Sequence, residues 1–310
     1  MEGEVVGLRP RVERRVVGRV DEPVLEPAGS EGDFGGAVHG AATEVERHRP
    51  SVATAPGKPQ GGCLVARAAR RYDAGMHAVI LSGAGRNADP WHPFAETSER
   101  LAELARAAGF DVDIVQDPLD GLAALADDVS LVIVNAGDPD GPGGGGEAPT
   151  PADPAVVARA ATALDAAIER GVGILAVHAA ASTLRELPYF EAALGARWVH
   201  EHSWHPPIGD AIVHVVGNHR IAEGLADFAV FDERYTDLVL VDVIEPIAEH
   251  EEGGVRHPLV WAREFGRSRL VYTALGHDER SYASPGNLEL LARAFDWLKR
   301  VPAPSAALLA

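Results

Sequence analysis

From Met76 onward, short apolar runs alternate with longer stretches whose apolar residues recur at helical spacing. This alternation constrains the fold more than any other feature. His77–Leu81, Leu131–Asn135 and Gly173–Val177 lack polar alternation, the texture of strands covered on both faces. Asp111–Val115 reads as another strand, and strand-like runs recur at Ala211–Val216, Phe228–Phe231, Leu238–Val243, Leu259–Ala262 and Leu270–Ala274. Between them, Thr97 reads as the cap of a helix that Gly109 stops, and Leu119–Leu125 as a short helix. Asp153 caps a helix with Pro154 at its first position and Gly171 as its stop. Ala179–Leu194 continues as helix with an irregularity near Pro188, and a last helix runs from Asn287 to Arg300. The expected fold class is α/β, a mostly parallel sheet flanked by helices on both faces.

Residues 1–75 lack this texture. Phe34 and Tyr72 are their only aromatics, and no apolar period survives beyond a turn. Such a stretch buries too little surface to offset its ordering entropy, so it is expected to be a disordered extension, or upstream sequence lying before a biological start at Met76. The expected domain is 76–300, with 301–310 a frayed tail. The Gly-rich stretch Asp140–Gly146 reads as a loop, and with no Lys-Ser/Thr after it, it is not a phosphate-binding P-loop.

Charge narrows the function classes. The net charge is −18, and residues 1–75 hold 11 basic and 11 acidic side chains, so the whole excess lies in 76–310. A domain this acidic repels nucleic-acid backbones and anionic lipid surfaces, so neither is an expected partner. No apolar run approaches the ~20 residues of a membrane span, and no secretory signal is visible, so a cytoplasmic location is expected. Cys63, the only cysteine, excludes an internal disulfide and a two-cysteine metal site.

In open parallel sheets, ligands bind beyond the carboxyl ends of strands. Three histidines stand there: His92 in the loop after the first strand, His178 at the end of the central strand, and His277 after the last core strand. His178 occupies a strand-to-helix bend whose flanks, Ala176 and Ala180, are small enough to permit a sharp elbow. Its ordinary alternative is a partly buried ring bonded to a backbone carbonyl. Asp232, Glu233 and Tyr235 form a second group, in which Glu233 and Tyr235 share a face of an extended segment. Its plainer reading is a solvated turn. In the segment Trp198–His205, His200 and His202 would share a strand face and could pair on zinc, or bind sugar beside a stacking tryptophan.

Several segments resemble the trehalose-utilisation (ThuA-like) family of the class I glutamine amidotransferase-like superfamily. They are the His92 loop, Gly171–His178, His219–Leu225, Asp232–Tyr235, His257–Trp261 and Gly266–His277. Arg220 departs from the family, which usually has proline there. The resemblance implies a flavodoxin-like three-layer sandwich and a carbohydrate substrate: trehalose, a related disaccharide or a keto-sugar. His277 resembles the histidine that activates the amidotransferase cysteine, but His178 stands where that cysteine would be. Cysteine-dependent amidotransfer is therefore excluded.

The expected function is a carbohydrate enzyme, a hydrolase or a lyase/isomerase, working by histidine acid–base chemistry near neutral pH. His178, His277 and Glu233 are its catalytic candidates. Trp91, His92, His200, His202, Asp232, Tyr235 and Trp261 are the substrate-binding candidates. A metal-dependent hydrolase using the same histidines, with a divalent ion such as zinc, and a non-catalytic sugar-binding module stand as alternatives. A homo-oligomer is possible on this reading.

Overall fold

The computed structural model describes residues 76–138 and 151–299, all within one unit of the chain, Gly61–Ala310. The expectations for 1–75, Asp140–Gly146 and 301–310 lie outside the described residues. In order, the elements are β1 (Met76–Ser82), α1 (Phe94–Ala107), β2 (Phe110–Gln116), α2 (Pro118–Ala123), β3 (Val129–Asn135), α3 (Pro154–Arg170) and β4 (Gly173–Val177). There follow α4 (Pro188–Leu194), β5 (Ala196–Arg197), β6 (Gly209–Val215), β7 (Phe228–Asp232), β8 (Val239–Leu240), β9 (Pro246–Glu252), β10 (Val255–Phe265), β11 (Ser268–Thr273) and α5 (Pro285–Leu298).

The main sheet has the order β2-β1-β3-β4-β11-β10-β9-β6-β7. Its first five strands are parallel and the remaining neighbours antiparallel. In β3 and β4 every residue is buried whichever way it points, so helices cover both faces there, as expected of unbroken apolar runs. The core joins these strands to Leu101 and Ala105 of α1, Leu164 and Ile168 of α3, and Leu291 and Phe295 of α5. No helix among the described residues is long and apolar enough to cross a membrane.

Local departures have simple causes. Helix α1 starts at Phe94, and Thr97 lies inside it, its hydroxyl donating back to the Pro93 carbonyl instead of capping. Ala179–Leu194 is not one helix: His178–Ala181 is a 3-10 turn, and α4 begins only at Pro188, whose ring suits a first helical position. Leu238–Val243 contributes only the two residues of β8 to a separate small ladder with β5. Strand β9 escapes the sequence because Pro246–Glu252 carries three glutamates and a histidine. Its partner β10 is longer than the run Leu259–Ala262 that signals it.

The sheet is strongly coiled. Strand β7 stands five places from β4, which in a flat sheet is about 24 Å at the usual strand spacing. Yet Glu233, the residue after β7, reaches within 3.4 Å of His178, the residue after β4. The antiparallel half curls back until its edge meets the carboxyl ends of the parallel half.

Candidate functional site

The backbone places His178 first. It leaves β4 at φ 47°, a left-handed conformation that a residue with a Cβ adopts only under constraint. Two hydrogen bonds supply that constraint. The Tyr272 hydroxyl donates to the His178 carbonyl at 3.0 Å, and His178 Nδ1–H donates to the Ala274 carbonyl at 2.6 Å. The second bond leaves Nε2 as the free nitrogen and aims it away from the core. Ala176 and Ala180 are both fully buried against the bend.

His92 is oriented the same way by a different partner. Its Nδ1 lies 2.7–2.8 Å from both carboxylate oxygens of Asp89, which also accepts the Trp91 and His92 backbone N–H groups. His277 follows Gly276, whose φ of 120° requires glycine; a Cβ there would also stand 2.7 Å from Val177 and 2.9 Å from the Tyr282 hydroxyl. Glu233 completes the group. Its Oε2 lies 3.4 Å from His178 Nε2 and 3.2 Å from His277 Nδ1, while Oε1 faces His205 Nε2 at 3.7 Å.

The three imidazole rings pack edge to face, with centroids 4.8 to 5.3 Å apart. Tyr235 lies against His178 at 4.3 Å, backed by Trp198 at 4.5 Å. His92, His178, Glu233 and His277 each offer one ligand atom, and these atoms all lie within 4.8 Å of one another. His92 Nε2, His178 Nε2 and His277 Nδ1 are buried without a hydrogen bond, the Glu233 contacts being close but poorly aligned.

Electrostatics separate the members. Burial pulls His178 down to about 4 despite the nearby Glu233, so this ring is neutral at neutral pH. Burial would also raise Glu233, but its close approach to His178 and His277 holds its carboxyl well below the usual range. His277 moves upward: burial works against its charge, and Glu233 overrides it. Asp89 is lowered, its contacts with His92 outweighing burial.

The remaining candidates are dispersed. Tyr235 is at the cluster, whereas Asp232 is buried and turned away from it, bonding backbone N–H groups. Trp261 is a core residue, fully buried, its indole N–H donating to the Leu194 carbonyl and its ring packed on Tyr272. Trp91 is exposed beside the His92 loop. His200 and His202 lie in a turn, with Glu201 at φ 64°, so the strand geometry that would have paired them is absent. His200 instead meets Asp138 at 3.1 Å, and His202 is exposed. Sequence reasoning missed Asp89 and the position of His205. Asp89 did carry a signal: an Asp-Pro pair three residues before a histidine favours a turn in which the carboxylate accepts local N–H groups. Nothing in the sequence singled out His205 from the other histidines of its segment.

Fold and cluster together define an α/β protein in which three histidines and a glutamate occupy the usual ligand edge of a mostly parallel sheet. The trehalose-utilisation (ThuA) family model matches residues 78–298, and the chain belongs to that family. Two solved structures illustrate the fold. A ThuA-like protein from Parabacteroides merdae is 17% identical with a TM-score of 0.57, the match covering 74% of this chain and 95% of that one. Another from Bacteroides uniformis is 18% identical with a TM-score of 0.54, covering 72% of this chain and 91% of the other. No curated protein matches.

Proposed function

We propose that this protein is a metal-dependent enzyme of carbohydrate metabolism, acting on a disaccharide or keto-sugar, with His92, His178, His277 and Glu233 as the ligands of one divalent ion. One observation carries the reading: three buried, unbonded imidazole nitrogens and a carboxylate oxygen converge within 4.8 Å. Leaving each such nitrogen unpaired costs about 1–3 kcal/mol, a cost that an ion removes.

Two of the six separations fit closely, and all six lie within 4.8 Å. Donors 2.0–2.2 Å from a tetrahedral zinc ion stand about 3.3 Å apart, close to the 3.4 and 3.2 Å from Glu233 to His178 and His277. The second ring nitrogens fit too. Ligating histidines usually donate their other N–H to a carboxylate or a backbone carbonyl, as His92 does to Asp89 and His178 to Ala274. Acid–base catalysis by these rings alone is less well served, since they contact one another and a sugar atom would have to part them.

A divalent ion supplies a Lewis acid for a sugar carbonyl, hydroxyl or glycosidic oxygen. The chain's own residues do the rest. Neutral His178 presents a lone pair, Glu233 supplies negative charge, Tyr235 and Trp198 wall one side, and His205 stands at the outer oxygen of Glu233. The carbohydrate substrate is supported by membership of the trehalose-utilisation family. The test is elemental analysis of untagged protein, with turnover of disaccharides and keto-disaccharides before and after chelation. One ion per chain and chelator-sensitive turnover are expected. Metal-free protein that is fully active would refute the reading.

A further inference from the structure

We propose that Asp232 is the positioning residue of this centre: its buried carboxylate ties the backbones of Glu233 and His277 together and so sets the distance between those two ligands. The inference rests on the metal-centre reading above. Asp232 ends β7, and alternation along an extended chain turns its side chain opposite to that of Glu233. While Glu233 faces the cluster, Asp232 faces the loop after β11. Its Oδ1 accepts the N–H of Glu233 at 2.9 Å and of His277 at 3.2 Å, and its Oδ2 accepts the N–H of Gly276 at 2.8 Å. Two of the four ligand residues thus hang from one oxygen.

The arrangement is specific to a carboxylate. Three backbone donors need acceptors on both oxygens, and an asparagine amide would set its NH2 against the Gly276 N–H. The loop has no slack on its other side, because Gly276 is pressed against Val177 and Tyr282. The tie also joins β7 to the loop after β11, two strands that are not neighbours in the sheet. A carboxylate buried only to fill core space would have no reason to accept from the backbones of two separate ligands.

The test uses the full chain and zinc or cobalt(II), titrated in competition with a chromophoric chelator. Asp232→Asn is expected to weaken binding about 10- to 100-fold, the usual effect of losing a residue that orients a ligand. The loss should be nearly absent when Glu233→Gln or His277→Ala is already present, and keep its full factor beside His92→Ala. An equal factor in all three backgrounds, or wild-type affinity in Asp232→Asn, overturns the proposal. Should Asp232→Asn fail to fold, Asp232→Glu, which keeps the charge but moves both oxygens, serves in its place. If wild-type protein takes up no metal, the metal reading fails alone. Asp232 is then judged on the ring resonances of His277 and His92: a shift confined to His277 upholds it, and unchanged His277 signals overturn it.

Discussion

Two groups of buried and partly buried histidines among the described residues make different use of the same side chain. His250 and His257 stack at 5.2 Å across β9 and β10. His250 is fully buried, with Nε2 3.1 Å from the Tyr235 carbonyl, and His257 faces Asp237 at 3.5 Å. His178 is as deeply buried, and burial brings both His178 and His250 down to about 4. Burial and a shifted pKa therefore do not distinguish a site from a packing residue here. Convergence does. The His178 group aims three nitrogens and a carboxylate at one point, whereas the His250 pair turns to a backbone carbonyl and a surface aspartate.

The largest expected effect breaks the comparison outright. His178→Ala should abolish stoichiometric metal uptake and turnover, while His250→Ala keeps both, measured by elemental analysis and activity assay. Chelation comes next. If the ion binds only the folded state, free ion at 100 times its Kd stabilises the protein by ~2.7 kcal/mol, so removing it should lower Tm by about 5–10 °C in a domain of this size. The same treatment of His178→Ala should change nothing. His250→Ala should cost about 1–3 kcal/mol in denaturant unfolding, because the Tyr235 carbonyl loses its donor.

A finer distinction lies in pH. A histidine lowered from 6.5 to about 4 leaves the unfolded chain binding the extra proton between those values. Its stabilising contribution is complete above pH 6.5 and is lost as pH falls toward 4. Asp232, which burial raises to about 6, acts in the opposite direction over part of this window. Comparing metal-free wild type with His250→Ala isolates the histidine: the variant's stability should fall less steeply between pH 6.5 and 4. Parallel curves would show that His250 does not titrate as its burial demands. The smallest effect is expected at His200. His200→Ala should leave metal content unchanged and stability within about 0.5 kcal/mol, as for an ordinary surface position.

What the sequence disclosed follows from range. Unbroken apolar runs announced β1, β3 and β4, and strand-end position marked His92, His178 and His277, because these features are local. The approach of Glu233 was legible only as a residue type. Its place beside His178 depends on five strand crossings and the coil of the sheet, which no spacing records. The inward turn of Asp232 and the burial of Trp261 have the same origin. Each side chain takes the face that its strand's partners leave to it, and β9, the partner of β10, was hidden by its own charge.

Among the described strands, β7 is one of the two edges of the sheet, and unpaired backbone groups at such an edge can recruit a second copy of the chain. Strand β7 is fastened along its length: the Ser284 hydroxyl donates to the Ala229 carbonyl at 2.6 Å, and Asp232 anchors its end to the His277 loop. The edge and the histidine–glutamate cluster thus share one fastening, and a substitution that loosens it should reveal itself in self-association as well as in a disturbed cluster.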